Sequence, residues 1–551
     1  GTMDARFFSR LGASRLDRTV CAAPTGVVAR AFTGKMPGVA FPDYVHAKLI
    51  VLWGANPFHS NIHLVPFLKQ ARERGARVVL IDPRRTGSAS YIDQWLPIFP
   101  GTDVALALAL IHELAQNDNL DAAFIREHTS GSEAVLEAAQ AWTLERAAEV
   151  TRIPARQIAQ LAADYAAAEP AVIRVGWGPE RNRNGGSAIA AILALVAVTG
   201  KFGRRGGGYT LSNSGTFRVN DAKLAALPEP KARRINMNHL GRALAGELDG
   251  PPIQALFVYD CNPVASVPDQ NAIVRGLLRE DLFTVVFDAV RTDTAEYADI
   301  LLPAVTFLEQ RELLNSYGAY ALQYIEPVIE PLGESRANEA VFSDLARAMG
   351  FSEPEFQEDF ESLLRRALAG IEGPVADRLN VERLRRERIL PFDFPGPAPI
   401  QFVTAFPQTE DRKMRLAPPE LGPRLYAYRE PEGDAKHPLL LISPASDKTI
   451  STVLGELNGA EPRLLLHPGD AAERGLSDGQ PVRVFNALGE VHCRLELSGR
   501  ICRGVASLPK GLWRRSFPNR SSSTALVPDQ VSEIGAGACF NDTRAEVAAL
   551  D

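Results

Sequence analysis

Lys48-Leu-Ile-Val-Leu-Trp-Gly-Ala-Asn-Pro57 opens on an apolar run closed by glycine, the pattern of a buried strand entering a turn. Helix-period sequence follows from Ile62 to Gly75, and then a second apolar run, Arg77-Val-Val-Leu-Ile-Asp82. Strands alternating with helices predict a parallel sheet with helices on its faces. The same succession returns from Ala255-Leu-Phe-Val-Tyr259 through helical sequence to Phe283-Thr-Val-Val-Phe-Asp288.

The two stretches are copies. A constant offset of 206 residues carries Asn56 to Asn262, Pro57 to Pro263, Asp82 to Asp288, Arg85 to Arg291 and Thr86 to Thr292. It also carries Tyr91 to Tyr297, Asp93 to Asp299 and Leu96-Pro97 to Leu302-Pro303. Core packing would repeat apolar residues, yet many of these identities are polar and fall at expected strand C-termini. In open α/β sheets ligands bind at that edge. Two matching edges imply two similar ligands, or one ligand with two similar halves.

Outward from the repeats lie helical stretches (Asp103 to Asn117, Ser187 to Gly200) and the glycine-rich segment Gly200 to Tyr209. Prolines crowd the region from Pro391 to Pro419, including Pro395 and Pro397, and mark an irregular linker. Beyond Pro438 come short strands at Leu439 to Ile442, Arg463 to Leu466, Val482 to Asn486, Gly489 to Leu497 and Gly504 to Leu508, which predict a β-barrel. The expected fold is therefore two pseudo-symmetric parallel-sheet α/β domains, residues 1–195 and 196–430, followed by a C-terminal β-barrel domain over 431–551.

A chain of 551 residues exceeds one core, which agrees with three domains. With 46% hydrophobic and 23% charged residues it has the composition of a soluble globular protein. The net charge of −6 argues against nucleic acid or an anionic membrane as partner. No apolar run is long enough to span a bilayer, and no signal-peptide core follows Gly1, so a cytoplasmic location is expected. The five cysteines (21, 261, 493, 502 and 539) form no CxxC pair, hence no zinc ribbon and no local iron–sulfur motif.

Several residues are candidates for chemistry. Asp82 and Asp288 each end an apolar strand, where a carboxylate accepts hydrogen bonds from a ribose or a guanine edge, or else caps the next turn. Arg85 and Arg291 offer forked donors to phosphate, or are surface residues. Gly101-Thr-Asp103 opens a helix whose free N–H groups suit a phosphate, and an ordinary helix start is an equal reading. Gly176 and Gly178, after the run Ala171 to Val175, let backbone approach a ligand; without a GxGxxG continuation they disfavour a nicotinamide site. Cys21, near Pro24 and Gly26, lies on a loop, where its thiolate suits a soft metal; a lone cysteine is also commonly a buried hydrophobe.

In order and content these pieces resemble the molybdopterin oxidoreductases of the dimethyl sulfoxide reductase family. The resemblance covers almost the whole chain. It is carried by Val51-Leu-Trp-Gly-Ala-Asn-Pro57, Ile81-Asp-Pro-Arg84, Phe99-Pro-Gly-Thr-Asp103, Thr199-Gly-Lys-Phe-Gly203 and the segment Asp288 to Pro303. His467-Pro-Gly-Asp-Ala471, Gly475-Leu-Ser-Asp-Gly479 and Phe540-Asn-Asp542 are similar to the family's dinucleotide-binding barrel. The resemblance implies molybdenum or tungsten held by two molybdopterin guanine dinucleotides, one per α/β unit. It assigns Asn56, Asp82, Arg84, Gly101 and Asp103, with Gly176 and Gly178 beside them, to one dinucleotide. Asn262, Asp288, Thr292 and Asp299 go to the other, and Asn541 to the barrel's share. Cys21 matches the metal-ligating cysteine of nitrate reductases and the selenocysteine or cysteine of formate dehydrogenases.

The implied activity is oxygen-atom transfer, or proton and electron transfer, on a small-molecule substrate, with an electron-transfer protein or subunit as partner. Three departures bear on it. Full-length members begin with a four-cysteine [4Fe–4S] domain, and nothing of that kind precedes Cys21. Formate dehydrogenases carry His after the ligand and Arg in the later helix, where this chain has Ala22 and Ala190, which argues against formate oxidation. Tyr317-Gly318-Ala319 stands where the family often has Glu-Gly-Arg, near Asn315. The rival reading is a non-catalytic relative such as the large iron–sulfur subunit of respiratory NADH dehydrogenase; Cys21 and the doubled Asp residues weigh against it.

Overall fold

The structure is a computed structural model. It describes residues 2–550 apart from 88–89, 214–217, 220–231, 316–317, 373–378, 393, 395–397, 447, 450, 458 and 460. Tyr317 and the linker prolines Pro395 and Pro397 therefore lie outside the described residues.

The first repeat forms a five-stranded sheet. Its strands are β1 (Leu49–Trp53), β2 (Arg77–Ile81), β3 (Gln94–Leu96), β4 (Ala171–Val175) and β5 (Gly208–Thr210), in the order β3-β2-β1-β4-β5. Every pairing is parallel. All five residues of β1 are buried, which is why its sequence is a continuous apolar run and does not alternate. The strand order reverses between β1 and β4, so the loops after these two strands flank a crevice at a topological switch point.

Three helices pack on this sheet: α2 (Ala23–Thr33), α3 (Asp103–Gln116) and α4 (Gly185–Val198). Every residue of α4 is buried, and it lies in one core with Val28 and Phe32 of α2 and Leu106 and Leu110 of α3. Ala190, noted above, sits fully inside that core.

The second repeat forms β6 (Ala255–Tyr259), β7 (Phe283–Asp288) and β8 (Ile300–Pro303), again parallel and in that order. The copy extends to register. Leu49 faces Arg77 and Val79 faces Gln94 in the first sheet; Ala255 faces Phe283 and Val285 faces Ile300 in the second, each shifted by the same offset. Asn56 has φ −115° and ψ 80°, and Asn262 has φ −120° and ψ 75°.

The expected division at residue 195 differs from the structure in two places. The first sheet takes β5 from beyond it. In addition, the N-terminal helix α1 (Met3–Leu11) packs on α5 (Asn338–Ala348) of the second unit, where Met3 and Phe7 join Phe342 and Phe356 in one cluster. The apolar face of α1 has its partner in the second unit, not the first.

The C-terminal region is a closed six-stranded barrel. Its strands are β9 (Leu439–Ile442), β10 (Arg463–Leu466), β11 (Pro481–Phe485), β12 (Glu490–Leu497), β13 (Val505–Ser507) and β14 (Thr543–Ala549). They close in the order β9-β13-β10-β12-β11-β14. Along β12, Val491, Cys493 and Leu495 point into the barrel core while Glu496 is exposed, the period-two pattern of a one-sided strand. β14 is the strand missing from the sequence expectation. Among the described residues no helix is long and apolar enough to cross a membrane.

Candidate functional site

The crevice at the switch point is built from glycine. The Gly176 N–H donates to Trp53 O at 2.8 Å and the Gly178 N–H to Gly54 O at 3.3 Å, so the two loops run backbone against backbone. A Cβ on Gly176 would overlap Gly54 O, and one on Gly178 would lie 3.1 Å from the same oxygen. Gly54 itself has φ +56°, a conformation that glycine adopts without strain. Gly176 and Gly178 are thus brought together with Asn56, two residues after Gly54.

A carboxylate corner adjoins this crevice. The indole N–H of Trp53, at the end of β1, donates to Asp103 Oδ1 at 2.8 Å and fixes the start of α3. Asn184, at the start of α4, donates to Gly101 O at 2.9 Å and holds the turn before α3, where Gly101 has φ +83°. Asp82 follows β2 and accepts the Arg84 N–H at 2.9 Å. Burial pushes the Asp82 carboxyl up to about 6, against the opposing pull of Arg84. Burial likewise raises Asp103 to about 6, with the Asp82 charge adding to the shift. Burial favours the protonated form of such a carboxyl, and added N–H donors would favour the carboxylate.

The sign of the pH effect is fixed by these values. Unfolded Asp82 ionises near 3.8, the folded residue near 6. Between those values the unfolded chain loses its proton first, so stability falls as pH rises from about 4 to about 6 and the loss is complete above that. Asp82→Asn removes this contribution. In urea unfolding of the ligand-free chain, the variant is expected to gain on the wild type between pH 4 and pH 7. A difference that stays constant over that range contradicts the assignment.

Buried polar atoms without partners show where a ligand fits. Both amide atoms of Asn56, the Arg84 Nε and the Thr86 hydroxyl are buried and unpartnered, and so is Asn262 Nδ2 in the second unit. Leaving such groups unpaired costs about 1–3 kcal/mol each, and Asn56 and Asn262, which the repeat relates, both carry one, so these positions offer hydrogen bonds to a ligand. The residues present fit a dinucleotide: amide, guanidinium and hydroxyl donors, carboxylates for base N–H groups, and a glycine crevice for backbone approach.

In the second unit burial raises Asp288 to about 6, and its Oδ1 accepts the Val290 N–H at 3.4 Å. Asn262 Oδ1 accepts from the Thr294 hydroxyl at 2.9 Å, while its buried Nδ2 has no hydrogen-bond partner. Thr292 accepts the Ala295 N–H at 3.3 Å as a local cap, whereas its repeat partner Thr86 has no partner. Arg291 is exposed.

Asp299 does not join the site. It precedes β8, and its carboxylate accepts the Thr284 N–H at 2.6 Å near the start of β7, the opposite edge of the sheet. Asp93 does the same for Val78 at 2.8 Å. This repeated Asp is a strand cap, and its doubling in sequence reflects the fold.

The barrel covers both repeats. Arg85 N–H donates to Arg500 O at 2.7 Å and Cys502 N–H to Pro83 O at 3.0 Å, so the loop after β2 is clamped to the barrel. On the second unit, Arg514 N–H donates to Asp293 Oδ2 at 3.0 Å, and Arg520 pairs with Glu296 at 2.6 Å. Asn541 bridges further: its N–H donates to Arg181 O at 2.8 Å, its Nδ2 to Gly178 O at 3.4 Å, and its Oδ1 accepts the Ser443 N–H at 3.3 Å.

Cys21 sits where these parts meet. All five cysteines are free, and Cys21 is the exposed one. Its loop is fastened on three sides. Arg181 of the first unit donates to Val20 O at 2.9 Å, and Glu180 accepts the Thr25 N–H at 2.9 Å. Toward the second unit, the Thr19 hydroxyl bonds Asn236 and Val20 packs with Val264 and Val267. Toward the barrel region, Pro24 abuts Gly535 and Gly537, and the Ala538 N–H donates to Thr19 O at 3.4 Å. Ala22 has φ +53°, so the turn that presents the thiol is held out of ordinary backbone geometry. Glu180, Arg181 and Ser443 escaped sequence reading, since each is a single polar residue in a loop without a repeat to mark it.

Residues 17–348 match the family model "Molybdopterin oxidoreductase", and residues 445–544 match "Molydopterin dinucleotide binding domain". The chain is 34% identical to the "Probable oxidoreductase YoaE" of Bacillus subtilis, over 99% of this chain and 81% of that protein. It is 27% identical to the dimethyl sulfoxide reductase DmsA of Escherichia coli, over 89% of this chain and 70% of that one. In fold it is similar to the acetylene hydratase of Pelobacter acetylenicus, with a TM-score of 0.82 over 100% of this chain and 84% of that one, at 22% identity.

Proposed function

The chain belongs to the molybdopterin oxidoreductase family, and we propose that it is an oxidoreductase holding one molybdenum or tungsten ion between two molybdopterin guanine dinucleotides, with Cys21 as the protein ligand. The observation that carries this reading is the placing of Cys21. It is an exposed thiol on a loop fastened to both repeat units and to the barrel region, where two like ligands would converge.

Asn56, Asp82, Arg84, Gly101, Asp103, Gly176, Gly178 and Asn541 serve one dinucleotide; Asn262, Asp288 and Thr292 serve the other. Asp82 and Asp288 accept N–H groups of the base, which brings their raised pKa values back down. Arg84 turns its unpartnered Nε to an anionic oxygen. The glycine crevice admits a ligand backbone that side chains would exclude. The Cys21 thiolate offers a soft donor.

When bound, the metal supplies two-electron chemistry at a small substrate, by oxygen-atom transfer or by transfer of a proton and electrons. The protein binds, orients and shields that centre from water. Electrons pass to or from a separate protein or subunit. Elemental analysis tests the reading: protein purified from cells that make the cofactor is expected to carry close to one molybdenum or tungsten per chain. Neither metal in such a preparation contradicts it.

A further inference from the structure

The first sheet continues on both sides of β1, whereas the second stops at β6. β1 pairs with β2 on one side and with β4 on the other. β6 pairs with β7 and, among the described residues, with no strand on its other side. The two strands are otherwise copies, down to the turn that follows each. Gly54 N–H donates to Ile81 O at 2.8 Å, and Asp260 N–H donates to Phe287 O at 3.3 Å, the same bond carried over by the repeat. Gly54 has φ +56° and Asp260 has φ +49°, a region that residues other than glycine seldom enter.

Alternate residues of a parallel strand turn their backbone N–H and C=O groups to opposite sides. Phe283 N–H donates to Gln254 O at 2.9 Å and Asp260 bonds Phe287, so Ala255, Phe257 and Tyr259 turn theirs away from β7. Their counterparts in β1 are Leu49, Val51 and Trp53, which face β4 and its flanks. Leu49 N–H donates to Pro170 O at 3.5 Å, and Trp53 O accepts the Gly176 N–H at 2.8 Å. Among the described residues nothing bonds the outward backbone groups of Ala255, Phe257 and Tyr259. Both faces of β6 are packed: Phe257 and Tyr259 meet Phe8 of α1 and Phe342 of α5, and Val258 meets Val286 and Ala295. Yet Ala255 is exposed and Leu256, Phe257 and Tyr259 are half-buried, where all five residues of β1 are buried. The opening is at the strand's edge.

From this mismatch between the two copies we infer that the free edge of β6 receives a further parallel strand, closed by a turn of small residues, from this protein's own polypeptide outside residues 1–551. The strand takes the place that β4 has in the first sheet. Its turn meets Tyr259 O and Asp260 as Gly176 and Gly178 meet Trp53 O and Gly54 O, so the crevice of the second unit is half built without it. An apolar strand suits the edge, because its neighbours there are Leu256, Phe257 and Tyr259; left open, such an edge is a template for pairing with other chains. Two observations place the source ahead of α1. That helix lies on this sheet through Phe8, whereas the last strand, β14, is locked between β9 and β11 in the closed barrel. The match with YoaE covers 99% of this chain but 81% of that protein, so the relative carries further sequence able to supply a strand.

Amide hydrogen exchange read by mass spectrometry is the test. In the chain of residues 1–551, peptides covering β1 are expected to exchange slowly throughout. Peptides covering β6 should hold a fast set, Ala255, Phe257 and Tyr259, beside a slow set, Leu256 and Val258. In the protein that also carries the residues its gene encodes ahead of Gly1, the fast set should slow by at least about tenfold, as amides bonded within a sheet do. A fast set that persists in the longer protein overturns the inference, and so does a gene that encodes no such residues. A β6 that is slow throughout in monomeric 1–551 overturns it as well, because the edge is then covered from within. A β6 that slows only where light scattering finds dimers gives the edge to a second copy and equally overturns it. Exchange is read without metal, so the added strand and the ligand role of Cys21 can each fail while the other stands.

Discussion

Cys21→Ala is expected to lower turnover of the metal-loaded enzyme by more than about a hundredfold, the upper range for losing a group that only supports a metal ligand. Stability should hardly change. Cys21 is exposed and packs in no core cluster, so truncation there stays within about 0.5 kcal/mol. Cys21→Ser sharpens the test. Serine keeps a donor atom but replaces soft sulfur with hard oxygen, so the metal should be retained while its ligand field changes. The expected result is unchanged metal content, altered Mo(V) EPR parameters and strongly reduced turnover. Normal turnover with an unchanged spectrum removes Cys21 from the metal site and returns it to the class of ordinary loop cysteines.

Gly176→Ala should destabilise the protein by about 3 kcal/mol or more, at the top of the range for overpacking. The added methyl meets the backbone of the facing loop, at the Gly54 carbonyl and the Ala55 Cα. Neither is the end of a flexible side chain, so β1 and β4 would have to move apart just where they define the crevice. Gly178→Ala meets the same carbonyl at 3.1 Å, a contact that a small shift relieves, so its effect should be the smaller of the two. Urea unfolding of both variants measures this. Equal and small losses would mean that the crevice is not closely built.

The fold was legible because its decisive signal is a repeat. Five identical polar positions at one spacing are hard to produce by packing, and the structure reproduces that spacing down to strand register and the dihedral angles of Asn56 and Asn262. The same signal misled at Asp299. A repeated Asp is expected wherever both copies need the same strand cap, and the short strand Ile300–Pro303 that Asp299 precedes was not read from the sequence. The division at residue 195 missed because β5 is only three residues long and the partner of α1 is remote in sequence. At the site, the carboxylates and glycines were readable from strand ends. Glu180 and Ser443 were not, because each takes its place from a loop remote in sequence, Glu180 from that of Thr25 and Ser443 from that of Asn541.

The central claim is that two repeat units hold two like ligands. Acid release of nucleotides from metal-loaded protein, with chromatography against standards, measures this directly. Two guanosine monophosphates per molybdenum or tungsten is the predicted result. One nucleotide per metal at full occupancy would leave the second unit's Asn262 and Asp288 without a ligand and would contradict the account.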